Sequence, residues 1–190
     1  MNETQVRQLF VDTGAILEGH FLLTSGLHSP LYVEKFQVLQ YPEHTAALCK
    51  ALAERFVHDQ VELVIGPVTG GILLAHEVGK NLGTRAIFTE RENGKMTLRR
   101  GFTIKPGERV LIVEDIVTTG GSVQEVLDVV REHGGTPVGV GILVDRSGGK
   151  ADFGVPHQAL LHLTVETHQP DNCPLCAQGN PITKRGSRKL

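Results

Sequence analysis

"RVLIVEDIVTTGGSVQEVLDVV", residues 109 to 130, decides how the rest of the chain is read. Four apolar residues, Val110 to Val113, run into the adjacent carboxylates Glu114 and Asp115, and then into Thr118, Thr119, Gly120, Gly121 and Ser122. The apolar run reads as a buried strand. Beyond the loop, Val123, Val126, Leu127 and Val130 recur at the spacing of one helix face, with Ser122 placed to cap it. The loop therefore sits at a helix amino end, where unpaired N–H groups and the positive end of the dipole favour an anion and glycines let the backbone come close to it. It reads either as a phosphate cradle or as an ordinary strand-to-helix turn. If a phosphate occupies it, the two carboxylates behind leave no room for a second phosphate but can accept hydrogen bonds from hydroxyls. That order of parts points to a phosphorylated sugar.

The same pattern repeats outward. "VELVI" (61–65) runs into "GPVTGG" and a helix-like "ILLAHEVGKNLG"; "AIF" (86–88) is a short strand; "VGVGILV" (138–144) ends at Asp145 and Arg146. Alternating apolar runs and helical stretches predict an α/β fold, a central parallel sheet flanked by helices, with ligands at the carboxyl ends of its strands. Val6, Leu9 and Phe10 suggest an opening helix, and Pro42 followed by Ala46, Leu48, Leu52 and Phe56 a second. "GHFLLTSGLHSPLYVEK" between them reads as irregular or hairpin structure. Two other phosphate motifs do not fit. A nucleotide-hydrolysing P-loop needs a lysine where "GPVTGGI" has Ile72, and a dinucleotide fold has its acid well after the glycines rather than before them.

At 190 residues, one compact domain is expected, and a formal net charge of -2 gives no general basicity for nucleic acid. "MNETQVRQLF" lacks the pattern of a secretory signal, and no apolar run reaches membrane-spanning length, so a cytoplasmic address without membrane attachment is expected. Of the three cysteines, Cys173 and Cys176 form "CPLC". That spacing can supply half a zinc site, but with no second pair and with His162 and His168 only loosely placed, a reduced, merely packed pair is the expectation. A thioredoxin-like role is disfavoured by the polar tail around the pair.

"VLIVEDIVTTGGS" resembles the thirteen-residue phosphoribosyl pyrophosphate signature of the type I phosphoribosyltransferases, and its double threonine is similar to the orotate-specific version. The resemblance extends to "TSGLHSPLYV", "VIGPVTGGILLA", "FTERENGKMTLRRGF", "VDR" and the "CPLC...GSRKL" tail. It implies the type I fold, with a core of roughly 41–154 and a small hood from roughly 1–40 and 155–190. It further implies that Glu114 and Asp115 hold the ribose hydroxyls, with Ile116, Val117, Thr118, Thr119, Gly120, Gly121 and Ser122 forming the rest of the phosphoribosyl pyrophosphate site. Thr118 and Arg146 match residues that bind orotate. "ERENGK" matches a mobile loop that reaches the neighbouring subunit's site in a homodimer, with Arg91 and Lys95 on the pyrophosphate and Lys95, Glu114 and Asp115 as the catalytic set. Mg2+ is implied as cofactor, held mainly by substrate oxygens, in a reaction joining orotate to phosphoribosyl pyrophosphate.

Three departures mark a divergent branch of short enzymes: Gly70 and Thr24 stand where many members carry lysines, and no histidine flanks Lys95. The residues themselves keep some alternatives open. Thr89 to Gly101, with four basic and two acidic residues, suits a solvated hairpin tip or a lid that carries cations to a leaving group. Arg146 suits a bidentate carboxylate contact or an ordinary surface ion pair, and Tyr32 a cap on the base or core packing. The rival functions are transfer to another base and a regulator that senses phosphoribosyl pyrophosphate without turning it over.

Overall fold

The computed structural model describes residues 1–23 and 25–185. The Thr24 departure and the final "GSRKL" fall outside the described residues. Helix α1 (Glu3–Asp12) leads into the hairpin β1 (Ile16–Leu22) and β2 (His28–Val33), a short α2 (Phe36–Leu39) and α3 (Pro42–Ala53). The core continues through β3 (Leu63–Pro67), α4 (Gly70–Leu82), β4 (Arg85–Glu92), β5 (Lys95–Leu98), β6 (Arg109–Val117), α5 (Gly121–Glu132), β7 (Thr136–Asp145) and β8 (His157–His162). The tail adds α6 (Pro174–Ala177) and β9 (Thr183–Lys184).

Six strands form the central sheet in the order β5-β4-β3-β6-β7-β8, all parallel except β5, which pairs antiparallel with β4 at the edge. The side-chain period of two sorts each central strand between two cores. Val64, Leu111 and Val113 pack with Leu48, Leu52, Leu74 and Val78 of α3 and α4. Leu63, Ile65, Val110 and Ile112 pack with Val123, Val126, Leu127 and Val130 of α5 on the opposite face. All four of those α5 residues are buried, so the helical spacing seen in the sequence is the spacing of the packed stripe. Full burial of each contributes about 1.5–3 kcal/mol.

A second, three-stranded sheet of order β2-β1-β9 pairs the N-terminal hairpin with a strand near the other end of the chain, and is called the hood below. Its C-terminal part starts later than the expected 155, because residues 157–162 first contribute β8 to the central sheet, paired in parallel with β7. The stretch read as irregular or hairpin is a true antiparallel hairpin with a register shift between Glu18 and Phe21.

Candidate active site

Strand β6 runs on through both carboxylates to Val117, and α5 begins at Gly121. The residue at the helix cap is Gly120 in the left-handed region, φ 82°, with no side chain capping the helix. Ser122 therefore does not cap α5, contrary to expectation; the cap lies two residues earlier, where glycine tolerates the positive φ. A Cβ on Gly120 would also come 2.9 Å from the Phe153 ring. The uncapped N–H groups face a hollow of about 60 Å³ lined by Glu114, Ile116, Val117 and Thr118 through Val123. A hollow of that size holds one small anion. Thr118, Thr119, Gly120, Gly121 and Ser122 thus come together as the sequence implied. Val117 contributes only backbone, since its side chain lies in the α5 core.

The alternation that divides β6 also divides its two acids. Glu114 follows Val110 and Ile112 and opens onto the small hollow; Asp115 follows Leu111 and Val113 toward α4. Glu114 is buried, and among the described residues only the Asp115 N–H, at 3.0 Å, donates to its carboxylate. Burial first, and then the Asp115 carboxylate, push it up to about 8. Asp115 is also buried, but Lys35 Nζ lies 2.8 Å from its Oδ1 and 2.7 Å from its Oδ2. The two negative charges that appeared to confront the phosphate loop are thus one protonation-prone acid and one ion-paired carboxylate.

Lys35 is a site residue that sequence reading missed. It lies 80 residues from Asp115, in the connection that follows β2, and belongs to no motif. Gly70 explains why a cation comes from there. A Cβ on Gly70 would stand 1.8 Å from Asp115 Oδ2, so the carboxylate fills the space a side chain at the start of α4 would take.

Beside the small hollow opens a cavity of about 800 Å³, lined by Leu23, Ser25, Leu27, Tyr32, Lys35, Thr118, Arg146, Lys150 and Arg185 among others. Arg146 follows the end of β7, and its backbone N–H donates to the Val117 carbonyl at 2.8 Å, which fixes it next to the phosphate loop. Its Nε is buried with no hydrogen-bond partner among the described residues, and burial holds its pKa below the usual guanidinium range. Among the described residues Arg146 makes no ion pair, and its side chain lines the large cavity. Tyr32 packs its ring 5.6 Å from that of Phe21 and also lines the cavity.

The segment from Thr89 to Gly101 forms a hairpin of β4 and β5 around Asn93 and Gly94, both at positive φ, which matches a two-residue turn of the primed type. Arg91 donates to Glu125 of α5, through Nη1 at 3.1 Å, and to the Gly94 carbonyl at 2.8 Å. It also lines a hollow shared with Lys35, Glu114, Asp115 and Ser122 of its own chain. Lys95 is not brought in: it is exposed at the far end of the hairpin and lines none of these hollows.

Comparison with known proteins fits this geometry. Residues 37–152 match the family model described as phosphoribosyl transferase domain. An orotate phosphoribosyltransferase of Desulforamulus reducens is 58% identical over 190 residues, covering 100% of both chains. One of Pelotomaculum thermopropionicum is 54% identical over the same full lengths. Among solved structures, orotate phosphoribosyltransferase from Aeropyrum pernix superimposes with a TM-score of 0.70 at 27% identity, covering 83% of this chain and 93% of that one.

Proposed function

We infer that this chain, which belongs to the phosphoribosyltransferase family and within it to the orotate phosphoribosyltransferases, transfers ribose 5-phosphate from phosphoribosyl pyrophosphate to orotate. The products are orotidine 5'-monophosphate and pyrophosphate, in pyrimidine nucleotide synthesis. The observation that carries the choice of base is Arg146. A half-buried guanidinium whose buried Nε has no hydrogen-bond partner among the described residues, lining the large cavity with Thr118, suits a planar ring carboxylate that accepts two parallel hydrogen bonds. Uracil, adenine and hypoxanthine lack that carboxylate and would leave the cation unpaired.

The 5-phosphate lies on the N–H groups of residues 118–122, and the ribose hydroxyls reach Glu114 and Asp115. As the bond at the anomeric carbon breaks, positive charge develops on the ring and negative charge on pyrophosphate. Asp115, held in place by Lys35, supplies a fixed negative charge on the ring side. Arg91 exchanges Glu125 for pyrophosphate. When bound, Mg2+ screens the pyrophosphate. It would be held mainly through substrate oxygens, because Lys35 already pairs with Asp115 and burial disfavours the charged form of Glu114.

The active unit in this reading is a homodimer in which Lys95 serves the partner's site. The exposure of Lys95 away from its own hollows supports it. No membrane attachment is proposed; among the described residues no helix is long and apolar enough to cross a membrane. Pyrophosphate release measured with orotate, uracil, adenine and hypoxanthine tests the substrate: turnover confined to orotate is expected, and preference for another base would overturn it. For the dimer, inactive Lys95→Ala and Asp115→Asn chains are refolded together. Random pairing makes half the dimers mixed, each with one intact site, so about a quarter of wild-type activity returns. Mixed dimers without recovery would assign Lys95 to its own subunit.

A further inference from the structure

The CPLC pair is not an isolated feature of the tail. Cys173 opens α6, and both cysteines meet His20 of β1 and His28 of β2 from the other end of the chain. One ligand atom from each of the four lies within 4.8 Å of the others. His20 Nε2 is 2.9 Å from His28 Nδ1, 3.6 Å from Cys173 Sγ and 3.8 Å from Cys176 Sγ; Cys176 Sγ is 3.3 Å from His28 Nδ1. A tetrahedral zinc ion with two sulfur and two nitrogen ligands separates them by about 3.3–3.8 Å, from bonds of about 2.3 Å to sulfur and 2.0–2.1 Å to nitrogen. His162 and His168, the histidines considered from sequence, take no part: His162 is exposed against Glu3, and His168 only bridges to the His28 backbone.

We propose that His20, His28, Cys173 and Cys176 bind a structural zinc ion that fastens the two ends of the chain into the hood. A second observation points to a metal. His20 Nδ1 lies 2.9 Å from the Asn180 carbonyl, so the ring proton resides there and the Nε2 lone pair faces the cluster. Histidine ligands are commonly oriented in this way by a backbone acceptor on the other nitrogen. His20, His28 and Cys173 are buried. Without an ion, two imidazoles facing each other can share only one proton, and two thiols beside them are poor partners for what remains. With it, each cysteine gives up its proton to solvent and all four atoms are satisfied. Two thiolates and two imidazoles select zinc over magnesium or calcium, and four protein ligands leave no open position for catalysis.

The ion has mechanical work to do. Otherwise, among the described residues, the tail is hydrogen-bonded to the hairpin through the two-residue β9, paired with Phe21 and Leu22, the His28–His168 bridge and the His20–Asn180 contact. The β1–β2 loop and Arg185, which the cluster brackets, line the large cavity. The site does not depend on which base the enzyme uses.

The test uses the reduced full-length chain. After exposure to zinc and exhaustive dialysis, elemental analysis is expected to give one zinc per chain. Cobalt exchanged into the site is expected to show sulfur-to-cobalt charge transfer and the intense visible bands of a tetrahedral ion. Cys176→Ser, at the exposed ligand, is expected to lower zinc affinity at least about 100-fold and to abolish the charge-transfer band. Failure to retain zinc, a weak octahedral cobalt spectrum, or equal zinc in a folded Cys173→Ser/Cys176→Ser double variant would overturn the site. Should Cys176→Ser not fold, the wild-type cobalt spectrum alone decides, because thiolate ligation has its own signature.

Discussion

The small hollow over residues 118–122 and the large cavity beside it are built in opposite ways. The first comes from one uninterrupted segment, the end of β6 and the first turn of α5, and presents mainly backbone donors. The second takes its walls from the β1–β2 loop, the residues after β2, the ends of β6 and β7, and the tail, and presents side chains. A backbone cradle is fixed as soon as the strand and helix pack, and it recognises a group common to many ligands. A cavity assembled from distant segments is where one base is told from another, and it holds its shape only while those segments stay docked.

That contrast can be broken in four places, taken from the largest expected effect to the smallest. Asp115→Asn should fold normally but lose turnover by about 100-fold to 1,000-fold, since a fixed charge beside the developing cation disappears. Near-wild-type turnover in a folded variant would remove Asp115 from the catalytic set. Glu114 makes the floor of the small hollow sensitive to pH. Its folded pKa of about 8 stands above the ordinary 4.5, so the folded chain keeps a proton that the unfolded chain has lost. Its stabilising contribution is complete below about 4.5, declines as pH rises toward 8, and then levels off, a change on the order of a few kcal/mol. Denaturant titrations of the substrate-free chain across that window should show the decline, and Glu114→Gln should flatten it; an unchanged slope in the variant would place the titration elsewhere.

In the large cavity, Arg146→Ala should raise the KM for orotate about 30-fold, near 2 kcal/mol, while the KM for phosphoribosyl pyrophosphate stays within about twofold. Equal changes for both substrates would make Arg146 a structural residue and erase the distinction between the two spaces. Ser122→Ala sharpens the contrast from the other side. Because the helix is opened by Gly120 and not by a serine hydroxyl, the variant should lose less than about 0.5 kcal/mol on thermal unfolding, below the loss of about 1 kcal/mol usual at a true cap.

Legibility followed the same division. The strand, loop and helix of residues 109–130 could be read because the cradle and the apolar stripe supporting it are local in the chain. The side-chain alternation that separates Glu114 from Asp115 was present in the same letters, but the two environments depend on what packs against each face. Lys35 and Arg146 show the difference well: Arg146 ends a strand and could be picked out, whereas Lys35 gains its role only when the hood entry folds against β6. The neighbours of the CPLC pair were hidden for the same reason. Its partners lie more than 140 residues earlier, as two histidines eight apart on either side of a Ser-Gly turn, and only the hairpin turns that spacing into neighbours. Ser122 was misassigned by two residues because a left-handed glycine can open a helix without offering a side chain.

The absence of a side chain at Gly70 reaches further than local fit. In this chain the corresponding space belongs to Asp115, and its counterion is lent by Lys35 from the hood side. The charge state of the catalytic floor is therefore governed across a boundary between two sheets. Any loosening that withdraws residue 35 removes a positive charge that favours the ionised form of Glu114, and so strengthens that acid's hold on its proton. Hood docking and acid strength become a single variable, so substitutions well away from the substrates can shift the pH at which this enzyme works.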